Sequence, residues 1–314
     1  SVAEQFATNA CDVLAAELGR SPRFAGRRFE FVRLALRGYK QPQQLMTVNY
    51  LLSLGAEFDI LVNLDGFNEV ALPNAENAPD GVAPSFPRKW HARIARLRNP
   101  GFARLLGYAT YLKLRQQERA RVFAGRPLRY SPAMTLAWKI LDESSGRDII
   151  AVQTELDELA QGEAAYGATG PPHDFSTTEE LDRHCVDVWS RSSQLLSEVC
   201  EANEIAYYHF LQPNQYVEGS KPMSAAERAV ALNVGNPYRE PAMRCYPLLI
   251  DEGAALRRKG VRFHDLTRAF ADHPETLYVD DCCHFSRTGD EILARRIAEV
   301  IRSDATASPA AERD

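Results

Sequence analysis

One short run constrains the fold more than any other feature. Ile60-Leu-Val-Asn-Leu64 is almost wholly apolar and halts at Asp65-Gly66-Phe67-Asn68. A run of this length bounded by a glycine reads as a buried strand, because helices need a longer, 3.6-periodic pattern. Gly66 lets the backbone turn sharply at its end. Residues 29–36, 205–211 and 261–264 read as further strands. Helical patterns fill 2–18, 43–54, 90–119, 133–144, 178–203, 242–259 and 289–302. Such alternation predicts an α/β fold, a three-layer α/β/α sandwich on a mainly parallel central sheet, as a single domain over residues 1–302.

Two stretches leave that rhythm. Residues 72–178 open with a Pro/Asn/Gly-rich loop and continue as long polar helices rich in Arg and Gln. They read as a helical insertion, either a wall or lid over the sheet or a solvated hairpin. The end, residues 303–314, is small and polar and is expected to be disordered.

Composition narrows the function classes. A net charge of −5 offers no phosphate-binding surface, so a nucleic-acid partner is not expected. No apolar run approaches the roughly 20 residues that span a bilayer. No leader pattern is visible, and the compartment stays open. The six cysteines, Cys11, Cys185, Cys200, Cys245, Cys282 and Cys283, form no C-x-x-C pair. They suggest neither a disulfide framework nor a zinc site, and no metal or other cofactor is expected. His209 lies mid-strand and reads as a packing residue.

Three segments carry candidate chemistry. In Asp281-Cys-Cys-His284 the acid and the imidazole are three residues apart, neighbours on one turn. Asp281 is thus placed to accept from Nδ1 of His284 and leave Nε2 as a general base. The same pair also suits a local turn hydrogen bond. In Gly66-Phe67-Asn68, the Asn68 amide follows a strand end, where open α/β sheets build their sites. Gly38, between a strand and a helix, is placed to offer its backbone N–H to an oxyanion. After the strand at 205–211, Gln212 and Asn214 either bind polar substrate groups or satisfy loop backbone.

Together these blocks resemble the SGNH hydrolases, also called GDSL esterases and lipases. The resemblance spans nearly the whole chain through short motifs: Gly38, then Gly66-Phe67-Asn68 with Glu69 where the family has Asp, then Asp281-Cys-Cys-His284. The family's Gly-Asp-Ser block is absent, and Ser1 occupies its slot upstream of Gly38. By this resemblance the strand leading into Ser1 precedes the sequence, and the fold is flavodoxin-like. It implies a serine ester hydrolase in which Ser1 is the nucleophile, His284 the base and Asp281 its orienter. Gly38 and Asn68 would stabilise the oxyanion, and Gln212 and Asn214 would contact a small ester or acylated carbohydrate. Acyl transfer by the same site, a degenerate binding domain, and an amidase using the Ser1 amine as its own base are the alternatives.

Overall fold

The computed structural model describes residues 2–87, 100–125, 128–161, 170–171 and 173–304. In chain order these form α1 (Val2–Asn9), α2 (Cys11–Gly19), α3 (Gln43–Ser53), β1 (Ile60–Asp65), α4 (Phe67–Leu72), α5 (Pro100–Ala124) and α6 (Pro132–Gln161). They continue with α7 (Thr178–Ala202), β2 (Ala206–Leu211), α8 (Ala225–Ala231), α9 (Arg239–Arg258), β3 (Phe263–Asp265) and α10 (Arg287–Ser303). The chain divides into a sheet-bearing unit, residues 1–88 and 173–314, and a helical unit, residues 89–172.

The sheet is parallel in the order β1-β2-β3. Ile60 stands against Ala206 and Asp65 against Leu211, while His209 stands against Phe263. Parallel pairing aligns all three carboxyl ends on one rim. Along β2 the side chains alternate, as strand geometry requires. Tyr207 and His209 meet Ser193 of α7, whereas Tyr208 reaches Asp304 just beyond α10 (3.0 Å) and Phe210 stacks on His264. Tyr207, Tyr208, Phe210, Trp189, Leu249 and Phe263 are fully buried at the centre of the core.

Several expectations are corrected. Residues 29–36 form neither helix nor strand and join no ladder, so the first expected strand is absent among the described residues. An open groove of about 740 Å³ lies instead between this segment and the outer edge of β1, lined by Phe29, Leu34, Ile60 and Val62. The helix expected over 2–18 breaks at Ala10, where φ is −123°. The break lets α1 bury Val2 and Phe6 while α2 separately buries Leu14 and Leu18. The expected tail begins in an ordered anchor, since the Asp304 carboxylate meets Arg262 Nε at 2.9 Å as well as Tyr208. Residues 305–314 lie outside the described residues.

In the helical unit α5 and α6 pack through their own small core of Leu105, Ala109, Leu112, Val152 and Leu156. This unit, residues 89–172, lies within the expected insertion of residues 72–178, whose first and last residues, 72–88 and 173–178, fall in the sheet-bearing unit. No helix among the described residues is long and apolar enough to cross a membrane.

Candidate functional site

At the end of β1, Gly66 adopts φ 121°, and a Cβ there would stand 2.3 Å from Leu211 Cδ1. Only glycine fits both the positive φ and that close approach. The turn launches α4, and Glu69 reaches back to accept the Gly66 N–H at 2.8 Å. A carboxylate at this position caps the first helical turn. Asn68 is half-buried and donates its amide to the Tyr39 carbonyl at 2.7 Å. That bond ties the strand-end block to the turn at Gly38, where φ is 76°.

The imidazole sits in a loop closed by an antiparallel bridge between Tyr278 and Phe285. Asp280, not Asp281, is its partner: Asp280 Oδ2 lies 2.5 Å from His284 Nδ1. The reason is the shape of the turn. No helical turn forms at 281–284, so the i, i+3 geometry expected of Asp281 does not arise. The backbone N–H groups of Cys282, Cys283 and His284 instead converge on Asp280 Oδ1 at 3.0, 3.1 and 3.2 Å. Asp281 turns outward and accepts from Asn233 Nδ2 at 2.7 Å. Burial works to raise the Asp280 pKa, but the imidazole and the convergent N–H groups outweigh it and hold it down to about 2. The carboxylate is therefore charged at neutral pH and fixes the ring with Nδ1–H toward it. His284 Nε2 has no hydrogen-bond partner among the described residues, and the side chain is 29% exposed.

Side chains from β2's carboxyl end hold this loop. Gln215 donates to the Asp280 carbonyl at 3.3 Å, and the Tyr216 hydroxyl to the Asp281 carbonyl at 2.6 Å. Helix α1 is tied to it as well, since Gln5 donates to the Phe285 carbonyl, and Asn9 donates to Asp290 of the following helix α10 at 2.8 Å. A cavity of about 90 Å³ near this rim is lined by Ala3 of α1, Leu36 and Tyr39 flanking Gly38, Asn68, Glu69 and Gln212. It thus gathers residues from the first turn of α1, the Gly38 turn, the Asn68 block and the end of β2. Gln212 is buried, and its Nε2 has no hydrogen-bond partner among the described residues. Asn214 is also buried and does not line this cavity; its Oδ1 accepts from Tyr216 N at 2.9 Å, and its Nδ2 has no hydrogen-bond partner among the described residues. Ser1 lies outside the described residues.

A second Ser/His/Asp group lies inside the core. Ser193 Oγ is 2.7 Å from His209 Nδ1, and His209 Nε2 is 2.7 Å from Asp65 Oδ1. Trp189 Nε1 and Asn63 Nδ2 each donate to Asp65 at 2.8 Å. Burial raises the Asp65 pKa, but His209 and these donors prevail and lower it. Ser193 and His209 are fully buried, so no substrate reaches them. Their chemistry is that of a closed polar network that braces β1 and β2 beneath the rim.

Comparison with family models returns no match, and no curated protein matches the sequence.

Proposed function

We propose that the chain is a serine ester hydrolase of the SGNH type. The observation that carries this reading is the Asp280–His284 pair on a loop bound to α1, the same helix that lines a cavity together with Asn68, although His284 itself does not line that cavity. In this scheme Ser1 attacks the ester carbonyl while His284 Nε2 takes its proton, and Asp280 stabilises the imidazolium. The Gly38 N–H and the Asn68 amide stabilise the tetrahedral oxyanion. His284 then protonates the departing alcohol, and water attacks the acyl-enzyme by the same route. Ser1 enters this scheme through the resemblance of the chain to the SGNH hydrolases, and α1, which follows it in sequence, is bonded to the histidine loop through Gln5 and the Phe285 carbonyl.

The alcohol or acyl part of the substrate meets Gln212, whose buried amide supports a polar group such as a sugar hydroxyl on a small acylated carbohydrate. Helix α7 on the Tyr207 side of β2, and the end of α10 on the Tyr208 side, support the three-layer arrangement of such a fold. The test is p-nitrophenyl acetate turnover together with labelling by a fluorophosphonate. The label belongs on Ser1, and His284→Ala should abolish both signals. Labelling elsewhere, or turnover that survives His284→Ala, overturns the reading.

A further inference from the structure

Four of the six cysteines, Cys11, Cys185, Cys200 and Cys245, are buried and serve as small core side chains. Cys282 is not: it sits half-exposed beside the fully buried Cys283, with the two sulfurs 3.3 Å apart. It packs against the core only in part and keeps access to solvent. Ligand atoms of Cys282, Cys283 and His284 all lie within 4.8 Å of one another. We infer that these three side chains form a binding site for one thiophilic divalent cation of the zinc and cadmium class.

The spacing suits such an ion. Tetrahedral zinc with Zn–S near 2.3 Å and Zn–N near 2.0–2.1 Å sets its sulfurs about 3.8 Å apart and sulfur and nitrogen about 3.5 Å apart. The sulfurs here need to open by only about half an ångström to reach that geometry. Two thiolates and an imidazole are the donors that borderline-soft cations prefer over carboxylate sets. Asp280 completes the pattern. A metal-bound histidine commonly gives its other ring N–H to a carboxylate, which fixes the ring and strengthens the ligand. Asp280 already holds Nδ1 of His284, so on this proposal Nε2 is the nitrogen offered to the cation. The same carboxylate takes the backbone N–H groups of all three ligand residues, so the turn that presents them is preorganised. Cys283 is buried, while Cys282 and His284 are each partly open to solvent. Binding exchanges the two thiol protons for the cation and releases them to solvent, and a water molecule can fill the fourth position.

This site does not rest on the esterase reading. If both hold, the cation occupies Nε2 of the general base and inhibits turnover. The test is a Cd²⁺ titration of the full chain, kept reduced with a non-thiol reductant, followed by thiolate-to-cadmium charge-transfer absorbance. One Cd²⁺ per chain is expected, displaced by Zn²⁺. Cys282→Ser should weaken binding at least tenfold, His284→Gln should weaken it measurably, and Cys11→Ser should leave it unchanged. Cys283 is buried, so Cys283→Ser is informative only if folded; Cys282→Ser carries the decision alone. No charge-transfer band, or a band indifferent to Cys282→Ser, overturns the inference. Neither outcome depends on ester turnover, so failure here and failure of the esterase reading are separately visible.

Discussion

Asp280 holds Nδ1 of His284 at 2.5 Å, while its neighbour Asp281 is turned away and bonded to Asn233. The two acids therefore predict opposite results. Asp280→Asn should cost roughly 10⁴-fold in kcat, because an amide favours the wrong imidazole tautomer. Asp281→Asn should change kcat by no more than a few-fold. Steady-state hydrolysis of p-nitrophenyl acetate by the two variants decides it, and a reversed order would return the orienting role to Asp281.

The buried Ser193–His209–Asp65 group makes a separate prediction, because its composition imitates a catalytic triad. Ser193→Ala should leave fluorophosphonate labelling and turnover intact, since Ser193 and His209 are both fully buried. It should lower stability by about 1–3 kcal/mol, as His209 Nδ1 and the Tyr207 hydroxyl each lose a buried partner. Chemical denaturation measures the loss. Abolished labelling in a folded Ser193→Ala protein would move the active site into the core.

What the sequence made legible, and what it hid, follows from range. β1 and β2 fall within two residues of their expected spans because their apolar runs and bounding turns are local signals. Gly66 was legible for the same reason. The Ser193–His209 contact was not, because two residues 16 apart meet only when α7 packs on β2. Residues 29–36 carry strand-like composition, but composition does not report whether a ladder partner is present. Asp280 is hidden from sequence spacing because the i, i+3 rule holds on a helical turn, and residues 281–284 form none. The adjacent Asp280-Asp281 is the signal in the sequence that two acids compete for this role. The absence of C-x-x-C spacing likewise concealed the Cys282–Cys283–His284 cluster, which neighbouring side chains build without it.

Stability should fall as pH rises from about 5 to 8. Glu69 is buried, and burial together with the nearby Asp65 charge raises its pKa to about 8. Burial also raises Asp290 to about 6, against Asn9 and His284. A folded-state pKa above the unfolded value means the native state holds the proton longer. The contribution is fully present below the ordinary carboxylate range and is lost through about 6 for Asp290 and about 8 for Glu69. Tm measured at pH 5 and pH 8 should therefore drop, and Glu69→Gln should flatten the upper part of the slope. A wild-type Tm that is level or rising over this range contradicts the prediction.

The outer edge of β1 should exchange its amides unevenly. The Asp59 and Asp65 carbonyls accept from Ala206 and Gln212, so with period-two geometry the amides of Val62 and Leu64 point toward the groove. Those of Leu61 and Asn63 point into the sheet. Residue-resolved hydrogen exchange should show Val62 and Leu64 exchanging at least tenfold faster than Leu61 and Asn63. Equal protection would mean that another strand fills the groove.

Asn68 holds two roles that mutation can separate. Its amide donates to the Tyr39 carbonyl, and an NH₂ group has a second proton to offer an oxyanion. Asn68→Ala should lower kcat roughly 100- to 1,000-fold, the scale of one lost oxyanion-hole donor. Asn68→Asp keeps the size but replaces both donors with a charge facing the developing oxyanion, so it should lose at least as much. If Asn68 only held the Tyr39 turn, its loss should appear mainly as lower Tm, with kcat recovered at a temperature where the variant is fully folded. A kcat deficit that persists in folded Asn68→Ala, with KM changed little, assigns the second proton to the transition state.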